Sequence, residues 1–136
     1  MIQRVQTLWM ILAALAVFLT LQFPFYGGTL VTDNSYHAIT ATDNLLLLML
    51  TSALGTGIAI DIFLYKNRKL QMRITIAAIL LECLIIFLYI QQISKFSNGN
   101  FALTSALHIL VLVFLFFAIG GIYRDSKLIR ESNRLR

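Results

Sequence analysis

Three ionisable side chains, Asp61, Glu82 and His108, stand inside long apolar stretches of this chain. At the centre of a membrane helix an acid or base costs at least about 2.5–3.5 kcal/mol, so each must be paired, hydrated or functional. Glu82 and His108 are the two whose chemistry could matter most. A carboxylate beside an imidazole can take up and release a proton, with desolvation and the neighbouring ring deciding which form is held. The plainer alternative is a hydrogen bond that pins two helices together, and that is the expected role. Asp61 lies four residues before Tyr65 and five before Lys66, where water or a cation of the adjacent basic turn is expected to satisfy it.

Other constellations carry less. Ser105 and His108, three apart, share a helix face, which is the spacing of a local contact rather than of a nucleophile and its base. Asp33, His37 and Asp43 are metal-ligand types without tight spacing or a fourth ligand, so no metal is expected. Cys83 is the single cysteine, which excludes an intramolecular disulfide and any Cys-x-x-Cys redox or zinc site. With no paired carboxylates and no interpretable triad, neither catalysis nor a cofactor is expected.

The elements that must position these residues follow from composition. The 136 residues are 59% hydrophobic and only 12% charged, with a mean hydropathy of +0.82. A soluble domain carries about twice that charged fraction. The length allows one domain, residues 1–136. Four stretches of about 20 residues can cross a hydrocarbon core of about 30 Å: 7–25, 45–65, 72–93 and 101–123. Backbone groups in lipid must be satisfied locally, so each is expected to be helical. The expectation is therefore an all-α, four-transmembrane-helix bundle. The first span reads as an uncleaved signal-anchor, because no small-x-small site follows it cleanly before Pro24 and Gly27-Gly28.

A net charge of +5 could suggest nucleic acid, but the basic residues sit beside the ends of apolar runs, so no nucleic-acid partner is expected. Arg4 precedes the first span, Lys66, Arg68, Lys69 and Arg73 surround the second turn, and Arg124, Lys127, Arg130, Arg134 and Arg136 occupy the tail, residues 124–136. Lys95 alone lies on the opposite side. By the positive-inside rule both termini are expected in the cytoplasm, with the lipid bilayer as the first partner. Trp9, Tyr65 and Tyr123 are expected at the inner interface, and Tyr26 and Tyr89 at the outer one.

At 1.5 Å per residue, Glu82 lies ~15 Å from the inner boundary and His108 ~19 Å, a difference of only ~4 Å. The two can meet if their faces do. Thr75, Ala78 and Tyr89 share the face of Glu82 and should point at other helices. The stripe Ala53-xxx-Gly57-xxx-Asp61 is expected to be a close-packing face of the second span. The helix it meets lies within the same bundle, on another protein or on a second copy of the chain. Each basic side chain of the tail is worth about 1 kcal/mol against anionic lipid. Orientation is its default role and docking of a cytoplasmic partner the sharper one.

Three separated patches are recognisable: Met1-Ile2-Gln3-Arg4-Val5-Gln6-Thr7, Tyr65-Lys66-Asn67-Arg68-Lys69-Leu70-Gln71, and Arg124-Asp125-Ser126-Lys127-Leu128-Ile129-Arg130 with the closing Arg134-Leu135-Arg136. Together they resemble domain of unknown function 4293, a bacterial membrane-protein family found mainly in Bacteroidetes, over the whole chain. Ser126 and Asn133 depart from the acids more usual there. The resemblance implies four helices in the inner membrane and brings no activity and no catalytic residues. The functional expectation is a non-enzymatic accessory, assembly or scaffold subunit. A small proton-coupled transporter or channel using Glu82 is the alternative.

Overall fold

The computed structural model describes residues 3–134. Four helices, α1 (Gln3–Thr20), α2 (Leu45–Phe63), α3 (Arg68–Ile93) and α4 (Ala106–Arg134), account for most of the chain. α2, α3 and the segment Leu103–Arg134 are long and apolar enough to cross a membrane, whereas the apolar part of α1 is shorter, Val5–Thr20. The helices pack in a ring, α1 against α2 and α4, and α3 against α2 and α4.

The buried positions show how the ring closes. On α3 they are Gln71, Thr75, Ala78, Glu82, Ile85 and Tyr89, and on α4 His108, Val111, Leu115, Ala118, Ile122 and Asp125. On α2, Leu47, Thr51, Leu54, Ile58 and Asp61 follow the same alternation of fours and threes. That is a period of about 3.5 residues, the a/d seam of helices packed at a shallow angle. Local signals set the helix ends. The side-chain oxygen of Asn44 accepts from the Leu46 amide and that of Asn67 from the Leu70 amide, so each cap satisfies one of the free amides opening α2 and α3.

The expectation of an all-α chain is corrected by a small antiparallel sheet at the far end of the helices from the basic turn. Strands β1 (Tyr26–Leu30), β2 (Tyr36–Ile39) and β3 (Phe96–Phe101) lie in the order β2-β1-β3. The segments that join the expected spans therefore pair with each other. Gly28 permits this, because a Cβ there would sit 2.4 Å from the Asn98 carbonyl oxygen and 2.8 Å from the Gly99 Cα. Only a residue without a side chain lets β1 and β3 approach so closely. Asn34, with φ 51°, turns the β1–β2 hairpin in a left-handed conformation that asparagine tolerates.

Two span boundaries shift as a result. The first helix ends at Thr20 rather than Phe25, and Phe25 belongs to the chain entering the sheet. The fourth begins at Ala106 rather than residue 101, after a 3-10 turn at Leu103–Ser105. Backbone hydrogen bonds hold Phe25 from both sides: its amide donates to the Ile39 carbonyl at 2.8 Å and its carbonyl accepts from Ala102 at 3.1 Å. The inner side of this layer joins the helical core through Phe25, Tyr26, Ile39 and Ala41, all buried.

Candidate functional site

The interior has two polar levels separated by apolar positions such as Ala13, Leu54, Ala78, Leu115 and Ala118. The level nearer the sheet holds Glu82 and His108, whose Oε1 and Nδ1 are 2.7 Å apart. Glu82 is 1% exposed and His108 3%, so the contact is enclosed by protein. His108 is the third residue of α4, so its cover comes largely from side chains around it. The Phe25 ring stacks on Tyr89, with centroids 4.5 Å apart, and meets the His108 imidazole edge-on at 5.3 Å. Tyr89 meets the same imidazole at 5.2 Å. The sheet-entry segment thus roofs the carboxyl–imidazole pair. The buried hydroxyls of Tyr89 and Thr51 have no hydrogen-bond partner among the described residues.

The second level lies near the α2–α3 turn and is one that the linear sequence does not mark as a cluster. Gln6 donates from Nε2 to Gln71 Oε1 at 2.8 Å, and Gln71 Nε2 reaches the Asp61 carbonyl at 3.2 Å and Met10 Sδ at 3.4 Å. Thr75 donates its hydroxyl to Asp61 Oδ2 at 2.7 Å, while Asp61 Oδ1 is buried without a hydrogen-bond partner. Asp61 is therefore interior, 1% exposed and bound to α3, rather than a partner of the basic turn. The basic turn pairs elsewhere: Arg68 Nη2 lies 4.0 Å from Asp125 Oδ2 on α4. Gln6, Gln71 and Asp125 carry no local mark of burial in the sequence, because polar residues near helix ends ordinarily face water. Gln71 lies seven residues before Ala78 on α3 and Asp125 seven after Ala118 on α4, and that seven-residue step is the sequence signal that marks them.

The small-residue stripe also needs correction. Ala53 is exposed and Gly57 half-buried, and a Cβ at Gly57 would meet nothing within 4 Å. They line a shallow groove between α2 and α3 with Ala77 and Leu81. The close-packing glycine is Gly55, where a Cβ would lie 3.0 Å from the Phe18 ring of α1. At about 100° per residue, eight steps leave Ala53 about 80° away from Asp61, whereas seven leave Leu54 within about 20°. Steps of four drift off a seam that steps of four and three follow.

Other expectations fall as follows. Tyr89 and Tyr26 are buried, 0% and 7% exposed, so they are core residues rather than interfacial anchors. Trp9 packs on Phe114 and Phe117, with centroids 5.7 and 4.9 Å apart, whereas Tyr65 and Tyr123 are exposed. His37 Nε2 and Asp43 Oδ2 are 4.0 Å apart, Asp43 caps Thr40, and no group of three or more metal-ligand side chains forms among the described residues. Cys83 is exposed and free. Lys66, Lys69, Arg73, Arg124, Lys127, Arg130 and Arg134 are exposed at the end of the helices that also holds the start of α1, where Arg4 lies; Arg136 lies outside the described residues.

No curated protein and no solved structure matches the chain. The family described as Domain of unknown function (DUF4293) matches residues 2–135, all but the extreme ends. The chain belongs to that family.

Proposed function

We propose that this protein is a bacterial inner-membrane protein with four spans and both termini in the cytoplasm, acting as a non-enzymatic accessory, assembly or scaffold subunit. The observation that carries the reading is the enclosed Glu82–His108 contact. The acid expected deepest in the membrane is committed to a neighbour at 2.7 Å under two aromatic rings, which is the arrangement of a packing contact. Three helices of spanning length support insertion. The 18 residues of α1 add about 27 Å, and Leu21–Tyr26 extend that path toward the sheet. Ten of the eleven basic residues on one side support the orientation.

Crosslinking in native membranes, followed by gentle extraction and mass determination, tests the subunit role. A defined complex with a second protein is expected, and a strictly monomeric chain at every crosslinker dose would overturn it. The second reading is a proton-coupled carrier using Glu82, favoured by the unpartnered buried hydroxyls of Thr51 and Tyr89. Proton-coupled flux in proteoliposomes that disappears in Glu82→Gln would establish the carrier in place of the subunit.

A further inference from the structure

At the end of the helices that carries the basic turn, a cleft of about 410 Å³ opens between α1, the α2–α3 turn and α4. Its polar side presents Arg68 and Asp125, whose Nη2 and Oδ2 stand 4.0 Å apart, beyond hydrogen-bond reach. Asp125 is 4% exposed, and its Oδ2 has no hydrogen-bond partner among the described residues. A buried carboxylate oxygen left in that condition is costly unless something donates to it. Coulomb attraction to Arg68 offsets part of the cost, but it leaves both groups with unused hydrogen-bonding capacity facing one cavity. The other wall is apolar, formed by Leu8 and Ile11 of α1 and Ile62 and Phe63 of α2. Leu8 is 53% and Phe63 79% exposed, so this wall runs out onto the surface that would face lipid.

The ligand that satisfies these groups is narrowly defined. It needs a charged N–H donor for Asp125, an anionic acceptor for Arg68, and an apolar extension along α1 and α2. The two charges of the site cancel, so a net-neutral headgroup is the electrostatic match. A headgroup carrying phosphate alone would place a second negative charge beside Asp125. We propose that the cleft binds one zwitterionic aminophospholipid of the phosphatidylethanolamine type. The ammonium sits on Asp125, the phosphate on Arg68, and an acyl chain lies along Leu8, Ile11, Ile62 and Phe63. This rests on the membrane-embedded reading, since only then does lipid reach the apolar mouth.

Native mass spectrometry of the intact chain in mild detergent, titrated separately with phosphatidylethanolamine, phosphatidylcholine and phosphatidylglycerol, tests the site. One phosphatidylethanolamine is expected to be retained, about tenfold more tightly than phosphatidylglycerol, the gain expected from one charge-assisted hydrogen bond. Phosphatidylcholine keeps the charge but has no N–H, and it is expected to bind more weakly than phosphatidylethanolamine. Asp125→Asn should erase the preference over phosphatidylglycerol, Arg68→Gln should weaken all three, and Lys127→Gln on the exposed tail should leave the order unchanged. A native chain indifferent to the three headgroups overturns the proposal whether or not the variants fold, and so does an unchanged preference in Asp125→Asn. Glycerophosphoethanolamine, the same net-neutral phosphodiester headgroup without acyl chains, is expected to compete at least about tenfold less well; equal competition would make the ligand a soluble zwitterion and overturn the lipid assignment. Membrane insertion is read independently by retention in an alkaline carbonate wash. A chain released there fails the membrane reading, whereas a retained chain without headgroup preference fails only the lipid site.

Discussion

Glu82 and His108 share one short hydrogen bond in a place enclosed by protein, and the value of that bond is measurable. Buried hydrogen bonds between membrane helices contribute on average about 0.6 kcal/mol and at most about 1.7. A double-mutant cycle with Glu82→Leu and His108→Leu, read as thermal unfolding in detergent, is expected to give a coupling near 1 kcal/mol. A coupling indistinguishable from zero would remove the pinning role. Gln71 is the more demanding position, since its amide serves Gln6, Asp61 and Met10 at once. Gln71→Leu conserves volume yet strands the Gln6 amide, so a loss of about 1–3 kcal/mol is expected in the same unfolding assay. Exposed Gln91, 20 residues along the same helix, should tolerate the identical change within about 0.5 kcal/mol.

The helices and the sheet make different demands on glycine. Gly55 faces Phe18 at a distance that leaves no room for a larger side chain, whereas Gly57 faces open space. Gly55→Val is expected to cost about 1–3 kcal/mol through overpacking, while Gly57→Ala is expected to stabilise α2 by up to about 1 kcal/mol. The reverse order would mean that the Ala53–Gly57 stripe, not the Leu54–Ile58 seam, is where α2 packs. In the sheet, Gly28→Val drives a side chain into the Asn98 carbonyl and should part β3 from β1. Faster amide hydrogen exchange over Phe96–Phe101 would register that, together with exchange at Phe25 and Ala102, whose backbone bond depends on the same layer. Protection unchanged at these amides would show that the sheet does not need the close approach.

For the molecule as a whole, the arrangement that most needs testing is its orientation. With Cys83 replaced by Ala, single cysteines at Asp33 in the hairpin loop and at Ser132 on the α4 extension provide one reporter for each end. An impermeant thiol reagent applied to intact cells is expected to label the first and not the second, and to label Ser132→Cys only after the inner membrane is opened. Labelling of both from outside would reverse the placement of the tail. The same experiment bears on the lipid site, because Arg68 and Asp125 lie toward the end of the helices that the tail continues.

Much of this protein is legible from its residues in order. Long apolar runs broken by basic clusters determine where α2 and α3 lie to within a few residues, because the helix is the one conformation in which a lone segment satisfies its own backbone. The separated patches at Met1–Thr7, Tyr65–Gln71 and Arg124–Arg130 determine the family, which matches residues 2–135. Depth along the axis is also readable, since each residue adds a constant rise, and that is why Glu82 and His108 could be placed at compatible levels. What only the tertiary structure decided is rotation and long-range pairing. Choosing Gly55 over Gly57 as the packing glycine requires knowing whether a seam advances by fours or by fours and threes, which depends on the neighbouring helices. Pairing Thr29 with Asn98, or roofing His108 with Phe25, joins segments about 70 and 80 residues apart whose local sequence reads as loop. Asp61, Gln71 and Asp125 look like ordinary helix-end polar residues until four helices close around them. Local propensity and axial depth are properties of one segment, whereas burial is a property of all of them together.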